Sequence, residues 1–434
     1  MNRTDPNPIQ LIAQFAAGIA QADISVPRTV ADLCREMMLN AAGAALAGAA
    51  HPDGIALARM VREMGGNGRS TIIGMGLRTS PVYASLVNGT LVRLLDYDDN
   101  TVDGGTHPTA AVFPPVMALG EMHGYSGPDV LSAFAAGCEV ASRLGASDTT
   151  SGSAGAVGAA VASSMLLGLD ADGVARAVGL AVDTTDGSGE YGSAGAAAMA
   201  QGRAAMQGVI CALSAAEGIG AAPRAAHVAT GNLDDLGSRW RLIDPGITVR
   251  LYPCDPASHS AIDAILGLAQ LHRFTPGDID SVHVGMTAEG IERMPHALPE
   301  DGWQARRSVG FIAAATLCHG APLINFFSEP AVRDEGVRAM MERISVEATL
   351  PRSPLALDPA EVAITLNDGR TLRHRIDHPR GSPAMPLDPE ELDAKFLYCT
   401  RYILPADHID EAVSSFRGIS EIENVTGMAS VLGG

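Results

Sequence analysis

The stretch "LLDYDDNTVDGGTHPTAAVFP", residues 94–114, packs Asp96, Asp98, Asp99 and Asp103 closely together and follows them with His107. That much negative charge beside an imidazole could bind a metal, cap a helix or move protons. A calcium loop fails on its own terms. Asp96, Asp98 and Asn100 fit alternate ligand positions of an EF-hand, but the turn glycine is Thr101 and the closing bidentate glutamate is His107. No metal site is expected. A carboxylate near an imidazole is, however, the ordinary equipment of general acid–base catalysis. The imidazole titrates near neutrality, and the carboxylate fixes its tautomer or acts as the base itself.

The aspartates are not equivalent in this reading. Asp99 and Asp103 read as loop and capping residues. Asp96 follows the apolar "LVRLL" at a helix C-terminus, where the macrodipole disfavours a carboxylate, so it needs a partner such as His107 or a substrate proton. A second histidine lies in "LYPCDPASHSAIDAILGL" (251–268). Pro253 and Pro256 interrupt the chain, Ser258 starts a helix, and His259 sits in its first turn. A cationic imidazole is disfavoured there, which suits a neutral His259 able to accept a proton. The plainer alternative is a histidine facing solvent. No GxSxG, P-loop or dinucleotide fingerprint competes with these groups.

The elements that must position them are mostly helices. Apolar residues recur near 3.6-residue spacing in "TVADLCREMMLNAAGAALAG" and "SPVYASLVNGTLVRLLDYDD", and "GPDVLSAFAAGCEVASRLG" and "GRAAMQGVICALSAAEG" end near glycine. "THPTAAVFPPVMALGEM" reads as a loop entering a helix, capped by Thr106 or Thr109 with Pro114 or Pro115 in the first turn. Convincing β-alternation begins only near residue 280. "IDSVHVGM" (279–286) and "RISVEATL" (343–350) read as strands, and "EVAITLNDGRTLRHRI" (361–376) as a hairpin turning at Asn367-Asp368-Gly369. The expected architecture is mainly α with an α+β insertion. A large all-helical domain (1–265 plus 390–434) carries a smaller α+β lid domain (266–389), and a cleft between such parts is the usual place for a small molecule.

Composition narrows the function. Nearly half of the 434 residues are hydrophobic, with alanine prominent among them, 48 glycines and few aromatics, which suits closely packed helices. A net charge of -19 argues against nucleic acid and against an anionic membrane surface. Six scattered cysteines without metal-ligand spacing read as reduced thiols, and the N-terminus lacks a signal-peptide pattern, so a cytoplasmic protein is expected. Thr149 to Leu169 carries no charge over 21 residues, but its Gly/Ser/Thr-rich first half favours a buried core helix over a membrane span.

"SLVNGTLVRLLDYDD" with "HPTAAVFPPVMALGE", "LYPCDPASHSAIDA", and "RGSPAMPLDPEELDAKF" (380–396) together resemble the 2-methylcitrate dehydratase (MmgE/PrpD) family over nearly the whole chain. The resemblance implies an all-helical domain with an α+β lid, a homodimer, and cofactor-independent chemistry on protons beside carboxylates: dehydration, decarboxylation or epimerisation. It assigns catalytic roles to Asp96, His107 and His259; Asn100, Thr149 and Arg306 are the expected substrate contacts. Asn100 stands where the family commonly has threonine, and Arg93 where it commonly has histidine. Two departures weigh more. Thr149 stands near the place of a family histidine, and Ala197 near that of a family lysine, with Arg306 or Arg203 as possible replacements for the charge. The expectation is a lyase of the dehydratase or decarboxylase type acting on a small organic acid less charged than 2-methylcitrate. The alternatives are an epimerase of the same family or a non-catalytic ligand-binding relative with a decayed site.

Overall fold

The computed structural model describes residues 7–103, 106–145, 151–183, 191–220 and 233–434. The chain divides into two compact units, Met1–Leu94, Asp98–Val249 and Asp388–Gly434 in one, Leu95–Tyr97 and Arg250–Leu387 in the other. It is mainly α with a small α+β part.

The first unit is helical: α1 (Pro8–Ala20), α2 (Arg28–Ala49), α3 (Pro52–Met64), α4 (Pro81–Arg93), α5 (Pro108–His123), α6 (Gly127–Gly145), α7 (Ser151–Leu166), α8 (Ala171–Asp183) and α9 (Ala194–Ala216). Pro389–Thr400, Ala406–Arg417 and Thr426–Leu432 complete it. Several of these helices begin on proline, whose fixed φ suits the first turn and whose missing N–H costs nothing there. The small-residue composition has a direct structural use. A Cβ on Gly137 of α6 would lie 2.6 Å from the Gly158 carbonyl oxygen of α7, and one on Gly202 of α9 would lie 2.2 Å from the Leu86 carbonyl oxygen of α4. Only bare backbone fits at those crossings. Within the charge-free stretch Ser151–Leu166 forms α7, buried from 154 to 164, and no described helix is long and apolar enough to cross a membrane.

Two short antiparallel pairs also belong to this unit, where the sequence showed no strand before residue 280: β1 (Ser70–Ile72) with β2 (Leu77–Thr79), and β3 (Asp99–Thr101) with β4 (Ile247–Val249). At three residues each, they are too short for any alternation to register.

The second unit holds β5 (Ile279–Met286), β6 (Ile344–Ala348), β7 (Ala360–Leu366) and β8 (Thr371–Ile376) in the order β6-β5-β7-β8, with only β6 parallel to its neighbour. The hairpin forms as its alternation requires, pairing Ile364 with Leu372, and Gly369 supplies the positive φ of the turn. One face of the sheet packs on α10 (His259–His272) and on the helix Val309–His319, so Ile262, Ile265, Phe311, Val282, Val284, Ile364 and Leu372 share one core. Because α10 belongs to this core, Arg250–Leu387 cluster together, with Leu95–Tyr97, in the second unit.

Candidate active site

His107 stands at the N-cap of α5, ahead of Pro108. Its side chain caps nothing, and neither threonine serves as the cap; Pro114 and Pro115 lie well inside the helix. The imidazole is occupied elsewhere. Nδ1 lies 2.8 Å from Asp98 Oδ2 and 2.9 Å from the Asp99 carbonyl oxygen. Both are acceptors, so Nδ1 carries the hydrogen, and a neutral ring then has its lone pair on Nε2. The ring is 9 % exposed and Asp98 is fully buried, so their interaction is little screened by water. Arg93 Nη1 lies 3.8 Å from the other oxygen of Asp98.

The loop that presents this pair is fastened at several points. β3 pairs Asn100 with Thr248 of β4, and the Thr101 amide donates to the Thr106 carbonyl at 3.0 Å. The Thr109 hydroxyl donates to the Asp99 carboxylate, and Asp103 pairs with Arg241. Asn100 is buried, with its amide nitrogen donating to the Thr101 carbonyl at 2.9 Å. Asp99 and Asp103 therefore shape the loop, whereas Asp98 acts on the imidazole. The sequence suggested His107 with Asp96; the carboxylate found on His107 is Asp98.

In the second unit, Asp96 has a different setting. Its φ of 52° is left-handed, a conformation aspartate tolerates better than most residues, and it turns the chain sharply after α4. Its carboxylate accepts from Arg250 Nη1 at 3.1 Å and lies 3.2 Å from Arg307 Nη1. Arg250 also donates to the Asp96 carbonyl at 3.2 Å. Arg307 is stacked on Trp303, its guanidinium carbon 3.4 Å from the ring centre. Asp96 is 2 % exposed. A buried carboxylate bridging two guanidiniums is a fixed anion that orients its partners.

His259 opens α10 and is completely buried, which removes the solvent-facing alternative. Its ring meets Tyr252 edge-on, with centroids 5.1 Å apart, and Nε2 lies 3.3 Å from the Cys254 carbonyl oxygen. Burial pushes the neighbouring Cys254 thiol up to about 12, so it stays protonated and unreactive at neutral pH. The Tyr252 hydroxyl donates to Asp263 at 2.7 Å, and the Arg380 amide donates to the other Asp263 oxygen at 2.8 Å. Burial raises the pKa of both Tyr252 and Asp263.

Arg306 is buried with its guanidinium 5.5 Å from the Phe327 ring, and its neighbour Arg307 is the arginine found on Asp96. Ala197 is buried in the first turn of α9, while Arg203 further along that helix is exposed. Thr149 lies outside the described residues. Among the described residues, no group of three or more His, Cys, Asp or Glu side chains could hold a metal ion.

Three residues escaped the sequence reading: Asp98, Arg250 and Arg307. Arg307 had a signal, since Trp303 precedes it by four residues, the spacing at which a helical turn stacks a cation on a ring. Arg250 had a weaker one, as a lone cation closing an apolar strand. Asp98 had none: helix position singled out Asp96, and nothing in "DYDD" pointed to Asp98.

A helical unit with a smaller α+β unit, bearing an imidazole held by a buried carboxylate, defines the class of protein: an α-helical scaffold presenting acid–base groups. The model of the MmgE/PrpD N-terminal domain matches residues 10–239 and that of the MmgE/PrpD C-terminal domain matches residues 252–417. The chain belongs to the MmgE/PrpD family. It is similar to the cis-aconitate decarboxylase of Mus musculus, at 26% identity over 85% of this chain and 82% of the relative. Against the cis-aconitate decarboxylase of Homo sapiens the figures are 24%, 84% and 82%, and against that of Aspergillus terreus 24%, 97% and 95%.

Proposed function

We propose that this protein is a cofactor-independent lyase that removes a proton, or a carboxyl group, beside a carboxylate or carbonyl of a small organic acid. The observation that carries this reading is the Asp98–His107 pair, an imidazole whose tautomer is set by a buried carboxylate. The relatives named cis-aconitate decarboxylase support the lyase type. In the proposed dehydration, His107 Nε2 takes the proton, the C–H electron pair enters the adjacent π-system, and the imidazolium returns a proton to the leaving group. In the proposed decarboxylation, the C–C electron pair enters that π-system as CO2 leaves, and a protonated His107 delivers its proton to the resulting carbanion. Asp98 holds the ring and stabilises its cationic form. His259 is the second proposed proton-handling group, Asn100 a proposed substrate contact, and Asp96 fixes Arg250 and Arg307 in place.

The proposed substrate carries fewer carboxylates than 2-methylcitrate or cis-aconitate. The motif comparison puts an alanine, Ala197, where the family carries a lysine, and one missing charge-assisted contact costs about 2 kcal/mol. The test is a panel of hydroxy and unsaturated mono-, di- and tricarboxylates incubated with the protein in heavy water. Deuterium incorporation into, or turnover of, a mono- or dicarboxylate is expected. Exchange with none of the panel would sink the enzyme reading, and fast turnover of cis-aconitate would sink the substrate reading. A product of inverted configuration would make the protein an epimerase using the same first step.

A further inference from the structure

The sheet of the second unit has one face in the core and one face outward, and the outward face carries chemistry of its own. The register aligns Ser345, His283, Ala363 and Arg373 in a single row across all four strands. The next row aligns Ser281, Thr365 and Thr371. Directly opposed residues on one face lie roughly 5 Å apart, so these two rows form one continuous patch. Ala363 is its low point, because its methyl group sits between the long side chains of His283 and Arg373. The result is a cleft of about 390 Å³, with Arg343 on its rim.

The donors in this cleft exceed its acceptors. Arg343 uses Nη1 to donate to the Ile279 carbonyl at 2.7 Å and makes no ion pair among the described residues. Arg373 has only a 3.5 Å contact with Glu361, with the two side chains 64% and 38% exposed, a type of pair worth little in water. His283 Nδ1 lies 3.1 Å from the Ser345 hydroxyl, and the Thr365 and Thr371 hydroxyls lie 3.3 Å apart. Glu342 lines the cleft as well and Glu361 touches Arg373, so the two guanidiniums are matched in formal charge and the directed donors carry the selectivity. Two guanidiniums, an imidazole and four hydroxyls around a hollow floor suit a tetrahedral oxyanion, which accepts hydrogen bonds in several directions at once. The patch contains no Phe, Tyr or Trp on which a nucleic-acid base could stack, and the chain's net charge of -19 opposes a polyanion.

We infer that the outward face of the β6-β5-β7-β8 sheet binds the phosphate group of a small phosphorylated molecule, at a site independent of the proton-transfer groups. The test uses the full chain, with inorganic phosphate as the probe in isothermal titration at low ionic strength. Saturable binding with a Kd on the order of 1 mM is expected for so open a site. Arg343→Gln and Arg373→Gln should each weaken it about tenfold. Ala363→Leu should weaken it as much by filling the floor while leaving every charge in place, with circular dichroism confirming an intact fold. Arg375→Gln, on the same strand but outside the cleft, should leave it unchanged. Absence of saturable binding would overturn the inference. So would equal weakening by Arg375→Gln, or an Ala363→Leu variant that binds normally, since either would mean diffuse charge attraction and no built site.

Discussion

Asp98 and Asp96 are two residues apart in one acidic run, both buried, and they serve different chemistry. Asp98 accepts from an imidazole, a group that gains and loses protons near neutral pH. Asp96 accepts from two guanidiniums, which never do. A carboxylate on an imidazole tunes a moving proton. A carboxylate between arginines fixes charge and geometry. The comparison teaches that partners, not residue type or proximity in sequence, decide which aspartate is placed against a titratable group. Substituting either one should therefore damage a different property.

The largest effect is expected at the imidazole. His107→Gln keeps a polar side chain of similar reach but cannot accept and return a proton, so kcat/KM on the substrate found in heavy water should fall by about 10⁴-fold. Thermal unfolding should move little, and a variant retaining a tenth of the activity would break the assignment. Next comes Asp96→Ala, which leaves the buried Arg250 and the half-buried Arg307 without their shared carboxylate. Unfolding free energy from denaturant titration should drop by about 3–5 kcal/mol. A stable variant with a pure rate defect would reverse the roles of the two aspartates. Asp98→Asn is expected to cost about 10²-fold in kcat, with a smaller stability loss than Asp96→Ala, because an amide no longer dictates the ring's tautomer. The smallest effect concerns the thiols. Burial raises Cys34, Cys138, Cys254 and Cys399, whereas Cys318 is only half-buried. Native protein should therefore show Cys318 as its fastest-reacting thiol in a colorimetric titration, lost in Cys318→Ser. Rapid labelling of Cys254 would mean that the α10 N-terminus opens in solution.

Much of the fold was legible because periodicity reports burial directly. The four strands of the sheet, the Asn367-Asp368-Gly369 turn and the buried helix α7 followed from alternation, turn chemistry and absence of charge. The three-residue strands β3 and β4 were not legible, yet they hold the loop that presents His107. Of the candidate residues, His107 and His259 stood out because an imidazole beside carboxylates or at a helix start is unusual. Their surroundings did not stand out. The Asp98 partnership depends on how β3 orients consecutive aspartates, and the Arg250 and Arg307 pairing joins residues over 150 positions from Asp96. Spacing along the chain carries no information about such contacts. Arg306, the expected substrate contact, packs against Phe327, while its neighbour Arg307, which the sequence reading did not single out, stacks on Trp303 and reaches Asp96.

The central claim is that Asp98 holds His107 with its hydrogen on Nδ1, so that Nε2 moves the proton. Nitrogen-15 spectra of histidine-labelled protein, assigned by the missing signals in His107→Gln, test it directly. In the neutral ring, His107 should give a protonated Nδ1 and an unprotonated Nε2, and Asp98→Asn should shift the population toward the other tautomer. A His107 that is already Nε2–H in the unaltered protein, or whose tautomer ignores Asp98→Asn, would contradict it.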